Sequence, residues 1–409
     1  MKQRDVQRIL KETAYVRMGG SAEELRCANY IKDECAKLGA DAQIESFEVD
    51  MADILECELT ADGIKIPCKG YFNAGSACIE APFYYLRDNS DYSLSQCKDH
   101  IVMIDGYMGY WKYQDLIENG AVGFITYDGS TNYANRDIDQ RELRSFVSKG
   151  NKIPGVNINA KDAVNLIKKK VSTVKINLKQ NEYIGKSHNV VLDIPGESDK
   201  CIVFTAHYDS TSLSQGAYDN MSGSIGLLAL AEHFSKTNSH YSTRFIWCGS
   251  EERGLLGSKA YCKQHEEDLK NVVLNINLDM VGCIMGKMIA CCTSEEKLTS
   301  YIEYFAMEYG MDCKVSQDVY SSDSTPFADC GIPAVSFARI APHNTATIHN
   351  RYDTAAVMSP SQTIEDMDFI IAFSNRMAQA KHCPVARVIP DNMKEKLDEY
   401  LARKRPKNA

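Results

Sequence analysis

The chain has 409 residues, more than one typical hydrophobic core supports, so two domains are expected. Hydrophobic residues make up 44% and charged ones 25%, an ordinary globular balance, and a net charge of -9 argues against nucleic acid as a general partner. The first residues carry no apolar h-region and no apolar run reaches the ~18–20 residues needed to span a bilayer, so neither a signal peptide nor a membrane partner is expected. Fifteen cysteines, none in a Cys-x-x-Cys spacing, are expected to be reduced, with the cytoplasm as compartment.

Residues 5–38 read as two helices around the break Gly19-Gly20-Ser21. Ser21, with Glu24 three residues on, fits a capping box for the second helix. Leu25, Ala28, Ile31, Cys35 and Leu38 then recur at helical spacing. No catalytic residue stands out, and this segment is read as scaffold. Residues 43–49 alternate like a strand. From 54 to 183 the texture changes to short strands and turns, with strand 101–104, helix 113–118, strands 120–127 and 153–158, and helix 160–169. That order, with Gly120-Ala121-Val122-Gly123-Phe124-Ile125, resembles the protease-associated domain inserted into several exopeptidase families. Its role would be to wall or gate a neighbouring cleft, or to be no more than a bulky insertion, and the segment holds no catalytic constellation of its own.

After Gly185 short apolar strands near 187–194, 201–205, 244–248, 272–278 and 334–337 alternate with helices at 224–234, 257–265, 297–309 and 364–381. Such alternation predicts an α/β fold, a mostly parallel mixed sheet sandwiched by helices. The catalytic domain is expected to be discontinuous, 1–53 with 184–409, and 54–183 to be the insertion. The basic cluster Arg403-Lys404-Arg405 is expected to be a solvated tail.

Five metal-ligand residue types fall at or beyond predicted strand ends: His207, Asp219, Glu252, Asp279 and His349. In such sheets ligands bind beyond the carboxyl ends of strands. Two imidazoles and three carboxylates suit zinc, with cobalt or manganese as substitutes. Five donors exceed one tetrahedral catalytic site but suffice for two ions if one carboxylate is shared. Two Zn²⁺ against three carboxylates and a hydroxide leave the centre near neutral. A hydroxide held there is the expected nucleophile, because zinc lowers the pKa of bound water to ~7.

Each residue also has a plainer reading. His207 alone could be a core histidine, but Asp209 shares its face in an extended segment and can orient it. Asp219, with Asn220, could cap the following helix. Glu251-Glu252 could be an exposed pair; beyond a strand end, one can bind metal while the other faces water as general base. Asp279 ends a near-continuous apolar strand, where an unpaired acid would be costly.

Taken together these residues resemble the co-catalytic di-zinc aminopeptidase family, relatives of glutamate carboxypeptidases and glutaminyl cyclases. The resemblance is carried by Ala206-His207-Tyr208-Asp209-Ser210, Gly216-Ala217-Tyr218-Asp219-Asn220-Met221-Ser222-Gly223, Ser250-Glu251-Glu252-Arg253-Gly254-Leu255-Leu256-Gly257-Ser258, Asn277-Leu278-Asp279-Met280-Val281-Gly282 and His349-Asn350-Arg351-Tyr352-Asp353-Thr354. It implies that Asp219 bridges two metals, that His207 and Asp279 complete one site, and that Glu252 and His349 complete the other. It also implies that Asp209 supports the ligands and Glu251 is the general base of an aminopeptidase acting on peptides. In Ser322-Asp323-Ser324-Thr325-Pro326-Phe327 the family's usual His is replaced by Ser324, which puts substrate contacts in that loop in doubt. Arg339 would face either a substrate carboxylate or, the favoured reading, an acid of the chain.

The same metals would also serve a carboxypeptidase-like or amide hydrolase. A glutaminyl-cyclase-like transferase and a metal-free receptor share the fold, but the complete ligand set argues against both. Side-chain preference is not legible, and the oligomeric state is open, a homodimer being one option.

Overall fold

The computed structural model describes residues 1–406, so the last three positions of the expected segment 184–409 lie outside the described residues. The chain forms two compact units, one of residues 1–48 and 186–403 and one of residues 49–185 and 404–406.

In the first unit the sheet runs in the order Cys313–Gln317, Lys287–Thr293, Ala334–Ile340, Val272–Leu278, Ser198–His207, Tyr241–Cys248 and the last residues of the strand Thr173–Ile194. The four strands Ala334–Ile340, Val272–Leu278, Ser198–His207 and Tyr241–Cys248 are mutually parallel. Antiparallel neighbours flank them on both sides. Parallel strands are covered on both faces, which is why they read as continuous apolar runs. The alternation of side chains decides which face each residue serves. Ile202, Phe204, Phe245 and Trp247 join a large core with Ile31, Leu230, Phe369 and Phe373. Val203 and Ile246 turn the other way and pack with Tyr261 and Phe327. The helices Ser222–Phe234 and Pro360–Gln379 therefore cover one face, and Leu256–Gln264 and Ser324–Asp329 the other.

Register brings the functional ends together. His207 pairs with Cys248, and Thr205 with Asn277, so three neighbouring parallel strands finish at nearly one level. A buried polar ladder ties them there: Thr205 Oγ1 donates to Asn277 Oδ1 at 2.8 Å, and Asn277 Nδ2 donates to Ser322 and Ser336.

In the second unit the strands Ala77–Tyr85, Ile101–Met103, Gly123–Asp128 and Gly155–Asn159 pair in parallel, and Cys68–Gly70 adds an antiparallel edge. Its core gathers Tyr71, Val102, Tyr113, Phe124 and Ile158. A short helix, Ser145–Ser148, stands between the last two parallel strands, where the sequence reading had strand following strand.

Several elements were not legible in advance. The strands Lys287–Thr293 and Cys313–Gln317 are short and rich in small or polar residues, and they acquire strand structure from their neighbours. Helix Asp391–Tyr400 is polar apart from Met393 and Leu397, its buried residues. The basic cluster is not a free tail: Arg403 forks onto Asp329 at 2.6 and 2.7 Å, and Arg405 onto Asp115 at 3.0 and 2.6 Å. No helix among the described residues is long and apolar enough to cross a membrane.

Candidate metal centre

His207 is the last residue of its strand, and Cys248 and Leu278 end the two strands beside it. Glu251 and Glu252 follow Cys248, and Asp279 follows Leu278, so all four side chains emerge at one rim. Asp219 reaches the same rim from the turn Ala217–Met221, which precedes helix Ser222–Phe234. Capping falls to its neighbour: Asn220 Oδ1 accepts the N–H groups of Gly223 at 2.8 Å and Met280 at 3.0 Å. Asn220 also donates to the carbonyl of Leu278 at 2.9 Å. Asp219 is thereby released from helix capping. His349 arrives from the loop after Ala334–Ile340 and has a left-handed backbone, φ 59°.

Two groups of donors converge. His207, Asp219 and Asp279 form one, and Asp219, Glu252 and His349 the other, with the donor atoms of each within 4.8 Å of one another. His207 Nε2 lies 3.1 Å from Asp219 Oδ1 and 3.6 Å from Asp279 Oδ1. His349 Nε2 lies 2.9 Å from Asp219 Oδ2 and 3.1 Å from Glu252 Oε2. Asp219 thus turns one oxygen to each imidazole.

Glu251 stands beside the first group, Oε2 3.9 Å from His207 Nε2. Asp209 lies beneath: its Oδ1 is 3.4 Å from His207 Nδ1, and its two oxygens accept the N–H groups of Glu251 and Glu252. The five ligand candidates, Glu251 and Asp209 therefore meet at this rim.

The electrostatics are those of crowded acids. Burial opposes charge on His349, but the charge of Glu252 and hydrogen bonds with Asp219 and Glu252 outweigh it and push the imidazole up to about 12. His207 is likewise raised well above its ordinary value, burial being overcome by Glu251, Asp209, Asp219 and Asp279. Burial raises both Glu251 and Glu252; the charge of Glu252 adds to the shift of Glu251, and that of Asp219 to the shift of Glu252, against the opposing pull of His349. For Asp219 burial is outweighed by its bonds to the two imidazoles, and its carboxyl is held below the usual range.

The donor set fits divalent metal. Oxygen and imidazole donors converge on two points, and Asp279 Oδ1, a converging atom, is buried without a hydrogen-bond partner. A buried carboxylate oxygen left so is costly unless a cation completes it.

Sequence reasoning passed over two supports. Asp353, fully buried, accepts the N–H groups of Tyr218 at 2.8 Å and Asp219 at 3.2 Å and the hydroxyl of Ser214 at 3.1 Å. Burial pushes it up to about 6. It lies in the segment His349–Thr354, yet nothing local says which loop it serves. Asp323 is also buried, bonded to Ser258 at 2.6 Å, and burial raises it to about 7. Ser324 points into the core and shares a hydrogen with Ser336 at 2.8 Å. Arg339 forks onto Asp366 at 2.6–2.9 Å, so it pairs with an acid of the chain.

Comparison with known proteins follows the same lines. Residues 189–374 match the model of peptidase family M28. The chain is 30% identical over 407 residues to aminopeptidase YwaD of Bacillus subtilis, covering 95% of this chain and 84% of that one. Among solved structures, BSAP, a zinc aminopeptidase from Bacillus subtilis, superposes with a TM-score of 0.78 at 24% identity, covering 95% and 98% of the two chains. An aminopeptidase from Aneurinibacillus sp. strain AM-1 does so with a TM-score of 0.75 at 21% identity, covering 94% and 96%. These structural likenesses extend over both units of the fold.

Proposed function

Since the chain belongs to peptidase family M28, we infer that it is a zinc-dependent aminopeptidase, removing N-terminal residues from peptides. The observation that carries the reading is Asp219, whose two oxygens each face a different histidine and a different donor group. We propose two zinc ions, one held by His207, Asp219 and Asp279, the other by Asp219, Glu252 and His349. Zinc, when bound, supplies Lewis acidity, lowering the pKa of water and polarising a carbonyl.

The chain's own residues supply the rest. Glu251 is the group free to move a proton, since Glu252 is turned to His349 and Asp209 is engaged with two backbone N–H groups. It takes the proton of the attacking water and returns it to the departing amine, the task of a general base that becomes a general acid. Asp209 keeps His207 oriented and holds the Glu251-Glu252 backbone. Asp353 holds the N–H of Asp219, which sets the direction of the shared carboxylate.

The second unit is proposed to be a protease-associated insertion, on the strength of its strand order. The cytoplasm is the proposed compartment, a reading supported by fifteen free cysteines.

The test is a panel of aminoacyl and carboxyl-terminal chromogenic peptides, assayed with zinc, after chelation and after zinc is restored. Release from the amino end, lost on chelation and regained with zinc, is expected. Release from the carboxyl end would overturn the aminopeptidase reading, and chelator-resistant turnover would overturn the metal.

A further inference from the structure

The N-terminal segment, read from sequence as scaffold, carries a cation at the metal centre's back. Arg17 is fully buried. Among the described residues its guanidinium donates to no carboxylate; it donates to carbonyl oxygens and lies 5.9 Å from the centre of the Tyr15 ring. Nε donates to Tyr208 at 2.7 Å, Nη1 to Thr13 at 2.7 Å, Tyr15 at 2.9 Å and Gln215 at 2.6 Å, and Nη2 to Gly216 at 3.1 Å. Its backbone is bound too: Arg17 N–H donates to Ser210 Oγ at 2.9 Å, and Ser210 N–H to the Arg17 carbonyl at 3.1 Å.

The targets of these bonds are specific. Tyr208 lies between His207 and Asp209, and Gln215 and Gly216 lead into Asp219. One side chain therefore staples both ends of the loop that carries a metal-binding histidine and the shared carboxylate. Gly216 is shaped around it: φ is 54°, and a Cβ there would lie 2.9 Å from Arg17 Nη2 and 2.6 Å from the Asp219 carbonyl. Burying a guanidinium away from carboxylates is expensive, and a rigid fork of five N–H donors offsets that cost by satisfying several carbonyls at once. Lysine has neither the reach nor the planar fork for this set.

We propose that Arg17 is a positioning residue of the metal centre, which holds the loop from His207 to Asp219 in its metal-ready form. The proposal rests on the zinc reading above. It is tested on full-length protein stripped of metal, by competition for zinc with a chromophoric chelator, comparing wild type, Arg17→Gln, Arg17→Lys and Arg8→Gln. Arg8 is the control: it forks onto Glu34 at 2.7 and 2.6 Å between the two N-terminal helices, and its loss weakens that region without touching the loop.

Arg17→Gln is expected to weaken zinc binding at least tenfold and Arg17→Lys by less. Activity of both should return toward wild type at saturating zinc, with KM unchanged, while Arg8→Gln binds zinc as wild type does. Wild-type zinc affinity in the Arg17 variants, or equal loss in Arg8→Gln, overturns the proposal. Should Arg17→Gln not fold, Arg17→Lys decides by the same criterion. A wild-type protein that binds no zinc overturns the metal reading itself, a result distinct from the others.

Discussion

Asp209 Oδ1 accepts the backbone N–H of Glu251 at 3.0 Å and lies 3.4 Å from His207 Nδ1, so it links the proposed ligand His207 to the proposed general base. Its other oxygen takes the N–H of Glu252 at 3.2 Å. One buried carboxylate thus adjoins the imidazole at one strand end and holds the backbone of two acids after the next. Asp209→Asn keeps the size but removes the charge and one acceptor. Zinc affinity or turnover should fall roughly 10–100-fold, the usual cost of losing a carboxylate behind a ligating histidine. Chelator competition and steady-state kinetics check it; unchanged values in both would refute the role.

Glu251→Ala should lower kcat by about 10²–10⁴-fold, the typical worth of a positioned acid–base group. Zinc content, read by atomic absorption, should stay at the wild-type level because Glu251 belongs to neither donor group. Retained turnover would remove Glu251 from the mechanism.

Zinc uptake should be coupled to proton release. Without metal, His349 is raised to about 12 and His207 is also raised, so both imidazoles hold protons at pH 7. Those protons must leave before the ring nitrogens can bind metal, so zinc uptake should release protons and affinity should rise with pH. The sign for stability is opposite. The contribution of His349⁺ to the metal-free fold is complete below its ordinary value of 6.5 and is lost as pH climbs through about 12. Titration calorimetry in buffers of different ionisation enthalpy measures the protons; a heat independent of buffer would contradict the coupling.

Asp353→Ala should destabilise the metal-free protein by about 1–3 kcal/mol, the cost of leaving buried partners unpaired. The N–H groups of Tyr218 and Asp219 would lose their acceptor, so zinc affinity should drop as well. Urea unfolding with m held constant reads the first and chelator competition the second. An Ala variant equal to wild type on both counts would show Asp353 to be dispensable.

Arg339→Ala leaves Asp366 buried without its cation and should cost about 3–5 kcal/mol. Its effect should be on stability alone. The ratio of kcat/KM between a peptide acid and its amide should match wild type. A change in that ratio would mean that Arg339 contacts the substrate carboxylate after all.

Much of this site was legible because α/β chains place chemistry where strands end. His207, Glu252 and Asp279 each follow an apolar run whose limits are local, and a donor residue in that position announces itself. The strand Val272–Leu278 was read with the bounds it has. Helix Ser222–Phe234 differs from expectation only at its start, where the turn Ala217–Met221 leads in. Residues whose partners are distant in sequence were not legible. Asp353 serves Asp219 across 134 positions, and Arg17 serves Tyr208 across 191. A carboxylate in a polar loop and an arginine after a helix have no periodicity to mark them.

By itself, then, the sequence determined the kind of chemistry. Two imidazoles and several acids at strand ends, in an α/β framework, point to a divalent metal, although each residue taken singly has a plainer reading. Tertiary structure decided the division of labour among them. It aims one oxygen of Asp219 at each histidine, turns Glu252 to His349 while Glu251 stays beside His207, and seats Asp209 beneath both. The reason is geometric. Residue types and spacing say which atoms can bind a cation, whereas sharing and orientation depend on strand register and on buried hydrogen bonds between segments far apart in the chain.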